Sequence, residues 1–128
     1  MKTIGIGVDI VKNKRVQLSI KNKNFINRTF SKNEILISKR FLNKTNYFSK
    51  RFAAKEALAK ALGIGFRENL NFKDIQIVNN KLGKPYYLVS SKIKSLIKKK
   101  KKIKNFNLFL SISDEKEYSV AFTMIEKI

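Results

Sequence analysis

Cysteine and histidine are both missing from the 128 residues of this chain. Without cysteine there is no disulfide framework and no thiolate metal site. Without histidine the chain lacks the commonest general base and the usual zinc ligand. Acidic residues are scarce, nine against 29 lysines and arginines. Any catalysis must therefore run on carboxylates, lysine, hydroxyls or a hard metal ion held by oxygen. No apolar run approaches the roughly 18–20 residues of a membrane span. The start of the chain reads as a strand and lacks the basic, apolar and small-residue zones of a signal peptide. The expectation is a cytoplasmic protein without a membrane contact.

What is present points to a folded globule. Hydrophobic residues make up 43% and phenylalanine occurs ten times, enough for a core in one domain spanning 1–128. The net charge of +20 has two readings. One is a polyanionic partner. The other is a compositional bias, since lysine, asparagine and isoleucine are used heavily along the whole chain.

The strongest helix runs from Arg51 through Phe52-Ala53-Ala54-Lys55-Glu56-Ala57-Leu58-Ala59-Lys60-Ala61-Leu62, with Gly63 as its C-cap. Glu56 and Lys60 stand four residues apart and share a face. Ala53, Ala57 and Ala61 form a smooth stripe that lets another backbone or chain come close. On local grounds the pair is a surface salt bridge, worth about 0.3–0.5 kcal/mol. Ile4-Gly5-Ile6-Gly7-Val8-Asp9-Ile10-Val11 is a short buried strand whose glycines admit a close neighbour. Asp9 is its one charge. It either caps the next helix or meets a cation, because a buried lone carboxylate is costly.

From Lys12 to Phe30 the pattern is helical but interrupted, basic throughout, with Val16, Ile20 and Phe25 along an apolar edge. Ser31 and Glu34 fit a capping box. After a loop at Asn43–Asn46 the strong helix is expected to begin near Tyr47 or Phe48. Phe72–Val78 alternates as a strand, Asn79–Pro85 is turn chemistry, and Tyr86–Val89 returns as the second arm of a hairpin. Ser90 or Ser91 caps a helix through Ile93, Leu96 and Ile97. Lys98–Lys102 follows as a block of like charge, expected to be exposed and mobile. Phe106–Ile112 and Tyr118–Ile125 are strands joined by an acidic turn at Ser113–Glu117.

Taken in order, four segments resemble the holo-acyl-carrier-protein synthases, the short bacterial 4′-phosphopantetheinyl transferases. They are Gly5-Ile6-Gly7-Val8-Asp9-Ile10, then Arg51–Ala57 with Lys60–Gly63, then Gly83-Lys84-Pro85, and last Leu110–Asp114 with Tyr118 and Ala121. The resemblance implies an α+β fold, a mainly antiparallel sheet with a long central helix across it. It also implies transfer of 4′-phosphopantetheine from coenzyme A to a serine of apo acyl carrier protein, with 3′,5′-ADP leaving, in support of fatty acid biosynthesis. By this resemblance Asp9 and Glu56 are catalytic carboxylates that bind magnesium, and Lys60 is catalytic beside the phosphates of coenzyme A. Arg51, Lys55, Lys60, Gly63, Gly65, Gly83, Lys84 and Pro85 lie in segments around the nucleotide. Arg15, Phe25 and Arg28 resemble the surface that docks the acidic carrier. A homotrimer with active sites between subunits is also implied. Some members carry histidine where this chain has Asp114.

The competing class is a small basic nucleic-acid-binding protein, suggested by the charge and the lysine block. It requires arginine and aromatic residues gathered on one exposed surface. It gives no reason for Asp9 in an apolar strand, so a nucleic-acid partner is not expected.

Overall fold

Antiparallel pairing joins the first strand of the chain to the last. In the computed structural model, which describes residues 1–67 and 69–128, β1 (Lys2–Lys12) lies beside β5 (Tyr118–Lys127), and β5 pairs in turn with β4 (Phe106–Asp114). A second antiparallel pair, β2 (Gln76–Asn79) and β3 (Pro85–Leu88), forms the expected hairpin. Between β1 and β2 come α1 (Asn13–Ser19), α2 (Lys23–Thr29), α3 (Lys32–Ser38) and α4 (Lys44–Leu62), and α5 (Ser91–Lys101) links β3 to β4. The fold is α+β, with the long helix α4 packed across β1, β5 and β4.

Glycine and alanine decide how α4 meets the sheet. A Cβ built on Gly5 would run into the carbonyl oxygen of Ala61, and one on Gly7 into that of Ala57. The alanine stripe is therefore spent inside this chain. Ala53 and Ala57 are fully buried and Ala61 nearly so. Around this contact Leu58, Leu62, Ile77, Ile97, Ala121 and Ile125 complete the main core. Val16, Phe30, Tyr47 and Phe48 form a smaller core under α1–α3. Most of the rings that a nucleic-acid surface would expose pack on one another instead, as Phe30 does on Phe48 at 4.5 Å between centroids.

Several local expectations need correction. α4 starts at Lys44, because Asn43 accepts a hydrogen bond from the Asn46 backbone N–H at 3.2 Å and caps the helix earlier than the loop reading allowed. Phe72–Asp74 is a 3-10 turn. The Asp74 carboxylate folds back to accept from the Asn71 N–H at 2.9 Å, so the strand begins only at Gln76. Lys98–Lys101 are the last turn of α5, where cations meet the negative end of the helix dipole. The block therefore continues the helix, with Lys99, Lys100 and Lys102 exposed as expected. The Ser31–Glu34 capping box and the Ser90 cap are present as expected.

Candidate active site

Successive inward positions on β1 are Gly5, Gly7 and Asp9, since alternate residues of a strand face the same way. The two glycines bring the strand down onto α4, and Asp9 follows them to the helix surface. There its Oδ1 accepts from Lys60 Nζ at 3.0 Å. The same ammonium donates to the Val8 carbonyl at 3.1 Å. The Asp9 side chain is 16% exposed and that of Lys60 is 53% exposed, so the pair sits at the mouth of a cleft. Glu56, one helical turn before Lys60, lines the same cleft, a space of about 360 Å³. Burial pushes the proton affinity of Glu56 above its ordinary value; the Asp9 charge adds to that, and Lys60 opposes it. Lys60 therefore serves β1 and not its i−4 neighbour, contrary to the helix-surface salt bridge that spacing alone suggests.

Arg15 from α1 and Phe25 from α2 form the far wall of this cleft. Phe25 stacks on Phe52 of α4 with centroids 6.0 Å apart. Arg28 sits over the Phe25 ring at 5.6 Å and lines a separate open hollow beside Asn24 and Asn27. The three residues expected at a carrier surface thus lie together, two in the cleft and one behind its wall.

The residues expected around a nucleotide divide between two places. Arg51 and Gly83 line a cavity of about 600 Å³ with Tyr47, Lys50 and Asn79. Arg51 donates to Asn79 Oδ1 at 2.6 Å and lies over the Tyr47 ring at 3.7 Å. Its Nε is buried without a hydrogen-bond partner among the described residues. Asn79 donates to the Gly83 carbonyl at 2.8 Å and holds the turn. Lys84 is exposed there, and Pro85 opens β3. Asn46, on the rim of this cavity, donates to Asp114 Oδ2 at 2.9 Å. Gly63 caps α4 in the left-handed conformation at φ 80°, and Gly65 follows in the loop just beyond the Lys60 end of the helix.

Lys55 is a correction. Its ammonium is fully enclosed and donates to Glu34 Oε1 at 2.8 Å, to the Phe72 carbonyl at 2.9 Å and to the Ile75 carbonyl. An ammonium has three protons to donate, and all are used, so Lys55 cannot face a nucleotide. Burial depresses its proton affinity, and the Glu34 charge opposes that. Glu34 also accepts from the Ser31 and Ile77 backbone N–H groups, so one carboxylate ties α3, α4 and β2 together. Sequence reading saw only its capping role. The available signal was Lys55 itself, set on a stripe with Phe48, Phe52, Leu58 and Leu62, where a cation has to find a buried anion.

The family model described as the 4′-phosphopantetheinyl transferase superfamily matches residues 5–123 of this chain. The chain belongs to this superfamily. A holo-[acyl-carrier-protein] synthase of Pelagibacter ubique is 61% identical over 127 residues, 99% of either chain. Among solved structures, the holo-[acyl-carrier-protein] synthase of Neisseria meningitidis has a TM-score of 0.85 at 38% identity, covering 98% of this chain and 99% of that one. That of Bacillus anthracis, in complex with CoA (3′,5′-ADP), has a TM-score of 0.83 at 31% identity with full coverage of both. This superfamily member therefore shares the whole architecture of those enzymes, β1 and α4 included. Among its described residues, no helix is long and apolar enough to cross a membrane.

Proposed function

We propose that this superfamily member is a holo-acyl-carrier-protein synthase that moves 4′-phosphopantetheine from coenzyme A to a serine of apo acyl carrier protein, in support of fatty acid biosynthesis. The observation that carries the reading is the meeting of Asp9, Glu56 and Lys60 at one cleft, from a strand and a helix about fifty residues apart in a chain of this family. In the transfer, the serine oxygen forms a bond to the phosphorus next to pantetheine. The bond from that phosphorus to the 3′,5′-ADP oxygen breaks. The hydroxyl proton passes to a carboxylate or to water, since the chain has no imidazole.

Asp9 and Glu56 fit a magnesium ion. Their donors are hard oxygens, and magnesium takes one or two carboxylates together with substrate phosphate and water. Burial first and the neighbouring Asp9 charge second raise the proton affinity of Glu56, so a cation held between the two carboxylates would favour their charged forms. When bound, the ion supplies charge neutralisation at the pyrophosphate. Lys60 contributes a mobile cation for the leaving phosphate. Arg51, Gly63, Gly65, Gly83, Lys84 and Pro85 form the nucleotide side, and Arg15, Phe25 and Arg28 the carrier side. Lys55 supports the frame beneath them.

The active assembly in this proposal is a homotrimer of single-domain chains, in the cytoplasm. Its support is an uncovered apolar sheet face. Ile6, Val8 and Ile10 are 62%, 55% and 64% exposed on β1, beside Phe122 at 44% and Phe109 at 45%. Val8 stands opposite Phe122 in the register. Bare apolar patches of this kind mark association surfaces.

The test mixes the protein with coenzyme A, magnesium and an apo acyl carrier protein, then weighs the carrier by mass spectrometry. The expected result is a carrier heavier by one phosphopantetheine. No added mass with several bacterial carriers refutes the transferase reading.

A further inference from the structure

We infer that Lys60 is the built-in counter-ion of the metal site: in the metal-free protein its ammonium holds Asp9, and an incoming divalent ion must displace it, which releases the ammonium toward substrate phosphate. The inference rests on the proposed role of Asp9 and Glu56 as metal ligands and extends it to a residue that is not a ligand.

Four observations support it. Lys60 Nζ lies 3.0 Å from Asp9 Oδ1, on the oxygen a metal would need. Glu56 takes part in none of the ion pairs among the described residues, so of the two carboxylates only Asp9 has a cation in contact, with Arg15 further off in the wall. A divalent ion balances that charge better than an ammonium does. The Lys60 side chain is 53% exposed on a flexible stem, so its departure disturbs no packing. Its second acceptor, the Val8 carbonyl at 3.1 Å, keeps a parking place on β1 rather than in the core.

The consequence is an exchange of partners. Asp9 passes from ammonium to metal, and Lys60 passes from carboxylate to phosphate. Metal arrival and phosphate capture become linked through one side chain, without any movement of the backbone. A general positive field of the cleft would oppose a metal ion as well, and Arg15 in the same wall gives the control for it.

The experiment measures Mn2+ binding by electron paramagnetic resonance on wild type, Lys60→Met, Lys60→Gln, Arg15→Met and Asp9→Asn. Both Lys60 variants are expected to bind Mn2+ about fivefold more tightly than wild type, the worth of a well-formed, partly exposed ion pair. Arg15→Met should change binding far less, and Asp9→Asn should abolish it. In thermal unfolding, the Lys60 variants should be less stable than wild type in EDTA and gain more from saturating Mn2+. If Asp9→Asn abolishes binding while both Lys60 variants bind no more tightly than wild type, the counter-ion role is refuted and the metal site stands. Equal tightening by Arg15→Met also refutes it, in favour of the general field. Mn2+ binding that is undetectable in every form, or indifferent to Asp9→Asn, overturns the metal reading and this inference together.

Discussion

Lys55 and Glu56 follow one another along α4, and the rotation of about 100° per helical residue sends one inward and the other to the cleft. Different physics governs each. Lys55→Met leaves the Glu34 carboxylate enclosed and without its cation. Such a loss costs about 3–5 kcal/mol, to be read by urea denaturation, and adding Glu34→Gln should recover part of it. Glu56 shows the opposite behaviour. Its folded-state proton affinity is raised above the ordinary value of 4.5, so the folded protein holds this proton more tightly than the unfolded chain does. The stability that comes with the proton is present below pH 4.5 and is lost as pH rises through the folded value. Glu56→Gln should therefore be more stable than wild type at pH 7, with the difference closing as pH falls toward 4, while phosphopantetheine transfer drops at least about a hundredfold. Equal transfer by this variant at limiting magnesium would refute the metal role. Glu34 was half legible: its partner on α4 is 21 residues away in sequence, beyond any local pattern, whereas its capping role lies within one turn.

The contact of β1 with α4 is the element on which the site depends. Gly7→Ala forces a methyl group toward the Ala57 carbonyl, and the strand must lift to admit it. Overpacking of this kind costs about 1–3 kcal/mol. The expected signature is a loss of transfer activity larger than the loss of stability, because Asp9 rides on the displaced strand; assay and denaturation on one sample decide it. Both partners of the contact were visible in the sequence, as glycines on a strand and alanines every fourth residue on a helix. Their match to each other was not, since neither pattern names its partner. α4 itself was legible by composition, but its first turn was hidden because Asn43 serves equally as loop residue and cap. The lysine block shows the reverse error. Like charge suggested that the helix ends before the block, and the favourable end of a helix dipole accommodates it.

Across the whole molecule, β1 needs correction: the sequence suggested a short buried strand, and the structure covers only one face of an eleven-residue one. One face meets α4. The other carries Val8 opposite Phe122 in the open. On the proposed homotrimer, Val8→Glu should leave the protomer folded and lower the mass in light scattering to that of a monomer, with activity falling alongside; an unchanged mass refutes the role of this face in assembly. A single cooperative thermal transition in that monomer would fit one domain over 1–128, and two separated transitions would refute it. The pairing of β1 with β5 has one more consequence, in time. Asp9 stands opposite Ala121 in the sheet, so during synthesis the strand that holds the carboxylate waits for nearly the entire chain to emerge. The helices between rest on local contacts, whereas this pairing carries the loop-closure cost of a long separation. A chain interrupted before β5 thus carries Asp9, Glu56 and Lys60 with no partner strand beside the first of them.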